Sequence, residues 1–543
     1  MTRAIYGIDL GTTYTKCALV AADKHVRVFE LDRDPVRKVS TPTLRSAVTL
    51  TVTPDGRPLA HVGACAHEVY RNWEPRSGPP MQCFEETKAW IGEEIPDGRD
   101  AQWMVEAHHW RYRPEDIAAL VLRKVKRAVE NAGGSEMTRV VVTHPQFFTD
   151  TRRKATRQAI ELAGLQLVDT LTEPDAAALA YAAKGRLGSY MVFDIGGGTL
   201  DVTICKLGEA GVEVISSAGN RIGGRQFDRE LFARMVVDYQ VAYADFSERY
   251  LDAQTTQSWM RKAEQLKRRL NDPEQEVARD QIRCANDAFE HGRDRSFVMR
   301  REDFIAATMP LVDDCVACAV EALAKKQLRW SDVDEILCVG GASRLVHLRA
   351  ALERVSGRPL RQDIDPDTVV ARGAALRGAQ LAEEPVAIST RTGVPSPSDF
   401  RGVLARGVGV LAYSARERRD VVYALIPGNT PLPYTKRHVF RTPHADQREI
   451  PVQIYEGDNT DADFCEQLGK IVLEDCPPGP AGQPVEVEIA IDSNGSKRVL
   501  VESRGRRREA VIEYDAARVL PDAELRHRQK FLESVVLCDC SSR

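Results

Sequence analysis

Two short segments of the chain carry residue types suited to holding a phosphate. Asp9-Leu10-Gly11-Thr12-Thr13 and Asp194-Ile195-Gly196-Gly197-Gly198-Thr199 each set a carboxylate ahead of a glycine turn furnished with hydroxyls. A phosphate needs backbone N–H donors at close range, and glycine offers them with no Cβ in the way. Two carboxylates aimed at one polyphosphate would hold Mg2+ through its waters, because Mg2+ keeps much of its hydration shell. A single Gly-Thr turn is ordinarily a hairpin. Two matching turns 185 residues apart, with a third at Gly340-Gly341, make that reading improbable. The commoner nucleotide motif G-x-x-x-x-G-K-[ST] is absent.

The elements around these turns must aim them at each other. Residues 4–20 and 189–207 both read as strand, glycine turn, strand, and 335–345 as a further strand and turn. Two similar half-sites suggest a duplicated domain whose halves face across a cleft. Helical periodicity over 114–132, 150–163, 172–184, 253–272, 303–328, 345–355 and 365–382 alternates with strands, which indicates an α/β fold. At about residue 386 the texture changes to a Pro- and Ser-containing linker, 386–402. Short alternating runs separated by Pro, Gly and Asn then fill 403–515, an all-β pattern. A short amphipathic helix is expected at 522–537. The expected division is therefore 1–385 α/β, 386–402 linker, 403–515 β-sandwich and 516–543 a short helical tail.

Composition narrows the function class. Lys+Arg 75 against Asp+Glu 79 leaves a net charge of −4, so no global field draws nucleic acid or an anionic membrane. No apolar run is long enough to cross a bilayer. Asp9 interrupts the N-terminus before an apolar leader forms, and 12 cysteines are too sparse for a disulfide scaffold, so reduced thiols in the cytoplasm are expected. Cys315 and Cys318 read as small buried hydrophobes, Cys538 and Cys540 as a frayed end, and Asn494-Gly495 as a hairpin turn.

The ordered motifs resemble those of the Hsp70 (DnaK-type) chaperones. GIDLGTTYTKCALV (7–20) and FDIGGGTLDVTI (193–204) look like the two phosphate motifs, VVVTHPQFFTDTRRKAT (140–156) like the proline-switch region, and TEPDAAALAYA (172–182) like the first connecting motif. RIGGRQFD (221–228), VGGASR (339–344) and DPDTVVARGAAL (365–376) continue the series, and IPGNTPLPYTKRHVFRT (426–442) with VQIYEGD (452–458) extend it into the β region. The resemblance implies an actin-like ATPase domain (ribonuclease H-like, duplicated) followed by an all-β sandwich that binds substrate, with ATP or ADP and Mg2+ as ligands. It implies that Asp9 and Asp194 position the metal and that Lys88, Glu173, Thr199 and Asp201 surround the reacting phosphate and water. Gly11, Thr12, Thr13, Tyr14, Gly196, Gly197, Gly198, Thr199, Gly223 and Gly224 would hold phosphates. Glu264, Lys267, Arg268, Asn271, Gly340, Gly341, Arg344 and Asp367 would hold the adenosine. Pro145 and Arg153 match the interdomain switch. Val410, Tyr413, Phe440, Pro443, Ile450 and Val452 fall on peptide pockets, though by their own pattern they equally suit sandwich core.

The implied partners are unfolded or extended polypeptide, a J-domain co-chaperone and a nucleotide exchange factor. Several positions depart from the family pattern. Asp169 stands where many members carry an Arg for J-domain docking, Ala342 and Asn271 replace serines, and Thr172 replaces an Asn. Residues 391–402 lack the usual leucine run, and only 28 residues follow the β region, so no full lid is expected. Two functions follow as expectations: an ATP-driven chaperone for extended apolar segments, and a nucleotide-dependent scaffold with one dedicated partner. A small-molecule kinase lacks a motif for its catalytic base, and a filament former would rest on fold alone.

Overall fold

The computed structural model describes residues 4–33, 39–71, 81–93, 103–133, 136–184, 187–208, 211–284, 293–361, 363–382, 403–404, 406–414, 416–492, 495–512 and 519–538. The expected linker 386–402, Asn494 and Cys540 lie outside them.

Two sheets of the same design build the α/β half. In the first, β1 (Ile5–Asp9), β2 (Tyr14–Val20) and β3 (Val26–Val28) form an antiparallel meander, and β4 (Arg139–His144) and β5 (Gln166–Thr172) add in parallel beside β1. In the second, β6 (Gly188–Ile195), β7 (Leu200–Gly208) and β8 (Gly211–Asn220) repeat the meander, and β9 (Glu335–Val339) and β10 (Leu360–Arg361) repeat the parallel addition. Both orders are therefore identical, and each glycine turn joins the first two strands of its sheet.

Helices cover the sheets. α1 (Pro114–Gly133) begins on Pro114, whose missing N–H costs nothing in a first turn. α2 (Asp150–Leu162) and α3 (Glu173–Ala182) are capped by the Thr149 and Thr172 hydroxyls. α4 (Gly224–Ala242) and α5 (Ala253–Leu270) cover the second sheet. α6 (Val369–Leu381) packs against α3 and β1 between the lobes. Small residues permit this approach: a Cβ on Gly373 would lie 1.7 Å from the Ala176 carbonyl oxygen. The two lobes bury separate cores, one around Phe193, Phe227, Tyr239 and Trp259, the other around Ile8, Leu50, Phe84 and Tyr112.

The β half is a sandwich of two four-stranded sheets. One has the order β12 (Arg419–Ile426), β11 (Val408–Ser414), β14 (Ile450–Glu456), β15 (Glu466–Leu473). The other runs β13 (Tyr434–Arg441), β16 (Pro484–Ile491), β17 (Lys497–Ser503), β18 (Arg506–Ile512). The sequence pattern does not reveal β13 or β15. YTKRHVFR is a largely exposed edge strand with no apolar face, and EQLGKIVL buries its leucines and Ile471 out of strict alternation at a register shift opposite Ile454 and Tyr455.

At Cys538 the expectation of a frayed end is overturned, since its N–H donates to the Ala60 carbonyl at 2.9 Å; Cys540 lies outside the described residues. α7 (Asp522–Ser534) lies on the first lobe, and Leu520, Leu532 and Val535 belong to its core. Phe531 stacks on Trp110 at 3.9 Å, Arg528 pairs with buried Asp116, and Gln158 exchanges two hydrogen bonds of 2.6 and 3.0 Å with the Leu520 backbone. β19 (Val536–Leu537) then pairs in parallel with the strand Pro58–Val62. Apolar side chains spaced for one helix face find a ready apolar surface there, which fixes a segment that the sequence alone leaves free. Leu532→Ala should cost about 2–4 kcal/mol, read by denaturant unfolding of the first lobe, with the sandwich transition unmoved.

Candidate active site

The strand ends carry the acidic residues to one place. Asp9 closes β1, Asp194 lies near the end of β6, Asp201 opens β7 opposite it in register, and Glu173 begins α3. All four are buried. Two ammonium groups answer them. Lys16 lies opposite Asp9 across the β1–β2 hairpin and pairs with it at 2.9 Å. Lys88 pairs with Glu173 and sits 5.7 Å over the Phe148 ring.

Negative charge is in surplus, and proton affinities respond. Burial, together with Glu173, Asp201 and Asp9, pushes the Asp194 carboxyl well above the usual carboxylate range. Burial and Glu173 push Asp201 up to about 7, although the backbone N–H groups of Gln146 and Phe147 donate to it. Burial raises Glu173 too, with Lys88 opposing. Burial pulls the Lys16 ammonium down, but Asp9, Asp367 and Asp194 prevail and hold it above its usual range.

The glycine turns close around this floor. A Cβ on Gly197 would strike the Thr13 Oγ1 at 2.0 Å, so the phosphate turns of the two lobes touch. Gly196 N–H donates to the Thr199 carbonyl at 3.0 Å, and Gly224 and Arg225 donate back to Gly196 and Gly197 at 2.9 Å each. Gly340 has φ +77° and comes against the Ile195 carbonyl, an approach that only glycine makes without strain. Gly11, Thr12, Thr13, Gly196, Gly197, Gly198 and Thr199 remain partly exposed to the cleft. These donors and hydroxyls fit a polyphosphate.

The fit for a metal is of one kind only. Among the described residues, no three His, Cys, Asp or Glu side chains converge to ligate one ion directly. Asp9 and Asp194 instead suit an ion that keeps its waters, and the excess carboxylate charge suits a dication.

At the rim, Glu264 of α5 accepts from Arg45 at 2.7 Å, Arg268 at 2.8 Å and the Tyr14 hydroxyl at 3.3 Å. Burial would raise this carboxyl, but Arg45 and Arg268 overcome it and hold it well below the usual range. Arg344 grips Asp365 and Asp367 at 2.6 and 2.9 Å, beside Gly341. Asn271 spends both ends of its amide on backbone, donating to Arg344 O and accepting from Val346 N–H at 3.0 and 2.8 Å. Lys267 bonds Gly224 O and Asp228, each at 2.8 Å. Asn271 and Lys267 thus position the turns around them. Gly223 packs on Gly197 and Gly198.

Sequence reasoning missed Arg45, Lys16, Glu85 and Asp228. Lys16 was legible, since a β-hairpin centred on Thr12-Thr13 sets it across from Asp9. Arg45 sits in a two-residue strand with no motif, and it links to Glu85 at 3.6 Å as well as to Glu264.

Pro145 and Arg153 lie between the cleft and the sandwich. Pro145 O accepts from Phe148 N–H at 3.2 Å, in the turn whose backbone meets Asp201. Arg153 binds Phe148 O and Asp150. Asp150 pairs with Lys497 of β17, which is fully buried and 3.6 Å from Glu456. Burial brings Lys497 down to about 8. On the second lobe, Asn429 Oδ1 accepts from Ser217 N–H at 2.7 Å. The peptide-pocket candidates divide. Val410, Ile450 and Val452 are sandwich core, Phe440 packs at its edge, and Tyr413 and Pro443 are exposed. Asp169 pairs with Arg377 of α6 at 2.8 Å.

A family model described as Hsp70 protein matches residues 82–539. The chain belongs to the Hsp70 family. The match begins beyond the first glycine turn and runs through the sandwich into β19. Membership brings an actin-like ATPase domain with a β substrate-binding domain and an ATP-binding function of the chaperone type. No helix of the described residues is long and apolar enough to cross a membrane.

The proton affinity of Asp201 has a measurable sign. An unfolded Asp releases its proton near the ordinary 3.8, the folded one near 7. Between these values the folded chain holds a proton that the unfolded chain has lost, so this group's contribution to stability falls as pH rises through the window. Asp201→Asn should therefore raise the melting temperature of the nucleotide-free chain at pH 8 by about 2–4 °C, with a smaller gain at pH 5, by scanning calorimetry.

Proposed function

We propose that this Hsp70 protein binds and hydrolyses Mg-ATP in the cleft and couples that reaction to the sandwich. The convergence of Asp9, Glu173, Asp194 and Asp201 with Lys88 between two touching glycine turns carries the reading. Asp9 and Asp194 would hold Mg2+ through water, and the ion would neutralise phosphate charge. Thr12, Thr13 and the backbone of Gly196–Thr199 bind the phosphates. Lys88 sets a compact positive charge where charge develops on the transferred oxygens. Glu173, held by Lys88, and Asp201, held by the Gln146 and Phe147 backbone, orient the attacking water together with Thr199. Tyr14, Arg268, Gly341 and Arg344 face the adenosine.

The sandwich supplies the second ligand, an extended apolar polypeptide segment bound alongside its strands. Tyr423, His438 and Phe440 form an aromatic cluster at its surface, with ring centroids 4.6–5.6 Å apart. A second reading, one dedicated protein partner, is favoured by a specific observation: Val410, Ile450 and Val452 are already spent on core packing. A cytoplasmic location fits either.

Lys88→Ala should lower ATP turnover roughly 100-fold or more with nucleotide affinity little changed, since it removes charge stabilisation at the reacting phosphate. Turnover measured with a panel of unrelated apolar peptides separates the readings. Stimulation by many supports the chaperone, stimulation by none supports the dedicated partner, and absent turnover in the unaltered chain overturns both.

A further inference from the structure

β2 turns its side chains alternately into the first lobe and toward the cleft. Thr15 and Cys17 are fully buried in the lobe, where the Thr15 hydroxyl meets that of Ser46 at 3.0 Å. Tyr14, Lys16 and Ala18 take the opposite face. Tyr14 meets Glu264 and Arg268 at the rim, and Ala18 packs with Ala371 and Ala375 of α6. Lys16 stands between them and reaches the floor, with Nζ 2.9 Å from Asp9 Oδ2.

Asp9 is not the only carboxylate that acts on this ammonium. Asp194 of the second sheet and Asp367 attract it as well, so charges from both sides of the cleft hold it in place. An ammonium has three N–H donors, and Asp9 takes one of them. The side chain is still 12% exposed, which leaves donors open to a phosphate oxygen.

The charge balance shows what Lys16 contributes. With the four carboxylates ionised, Lys16 and Lys88 leave two negative charges on the floor, which one dication balances. Without Lys16 three would remain, and a buried charge left uncompensated is costly. Building on the Mg-nucleotide reading above, we propose that Lys16 is a further phosphate-binding residue, a resident monovalent cation that makes nucleotide binding independent of free alkali or ammonium ions. A tethered ammonium has little translational freedom left to lose, whereas a free ion would surrender its own on entering the site. The hairpin register fixes Lys16 opposite Asp9, so the charge is present before the nucleotide arrives.

ADP with Mg2+ is titrated by calorimetry into the full chain in potassium, ammonium or tetramethylammonium chloride at one ionic strength. The unaltered chain should give the same Kd within about twofold in all three. Lys16→Met should bind ADP about 10-fold or more weakly in tetramethylammonium, an ion too bulky to sit beside Asp9, and regain most of that affinity in potassium or ammonium. An ion pair that serves only the fold would lower the melting temperature of Lys16→Met and leave its ADP affinity unchanged, which would overturn the proposal. Weakened binding that neither small cation restores would overturn it too, as would an unaltered chain that requires one of them. That last comparison needs no variant, so it decides even if Lys16→Met fails to fold. ADP that binds the unaltered chain in none of the salts overturns the Mg-ATP reading and this proposal with it, whereas a requirement for a small cation overturns the role of Lys16 alone.

Discussion

Surplus negative charge at the floor of the cleft is the constraint around which the molecule is built. Four buried carboxylates meet two ammonium groups, and burial makes the unneutralised remainder costly. Such a site survives only if rigid elements force it and their own cores supply the stability. The duplicated sheets do that. Each lobe has an independent apolar core, and each delivers its acidic strand end on a meander of identical order. The small-residue contact of α3 with α6 lets the lobes approach closely enough for Thr13 to touch Gly197. Arg45 and Glu264 tie the rim from opposite sides.

What was legible in the sequence follows from which forces are local. Strand, glycine turn and strand is a local pattern, and it located both halves and the carboxylates at their strand ends. Helical periodicity is local in the same way, and it placed α1, α2 and α3 to within two residues of their ends. Edge strand β13 was silent because an exposed strand carries no alternation. Arg45 was silent because its partners lie 40 and 219 residues away, and nothing near it hints at either. The docking of α7 was equally hidden: an amphipathic helix announces that it needs a surface, without saying which. Val410, Ile450 and Val452 illustrate a further limit, since alternation shows a face to be apolar and does not tell core from pocket.

The sandwich is fastened to both lobes by polar contacts that are costly to break singly. Lys497 is fully enclosed between Asp150 and Glu456, with Arg153 on the far side of Asp150. A buried charge cluster of this kind contributes little net stability and much selectivity, because loss of any member leaves an uncompensated charge. It accepts one geometry of approach and rejects others. Asn429 on Ser217 adds a second point of attachment on the other lobe, so the sandwich spans the lobes as a bridge.

That bridge is mechanically joined to the cleft. Arg152 donates to the carbonyls of Lys88 and Ala89 at 2.9 and 3.1 Å, and its guanidinium lies 4.0 Å from the centre of the Phe148 ring. Arg152 belongs to α2, whose first residue is Asp150. Any shift of Lys88 on meeting a phosphate therefore bears on the same short helix whose N-terminus holds Lys497. Asp201 reaches the same place through the Gln146 and Phe147 backbone, one residue beyond Pro145. The two groups that nucleotide charge would affect most, an ammonium it attracts and a carboxylate whose proton affinity it would raise further, converge on the start of α2. Under the proposed function, a sub-ångström change at the phosphates would reach the buried interface through this helix. What Asp150 and Lys497 gain in specificity they return as sensitivity: an interface that admits a single arrangement either follows the helix or lets go.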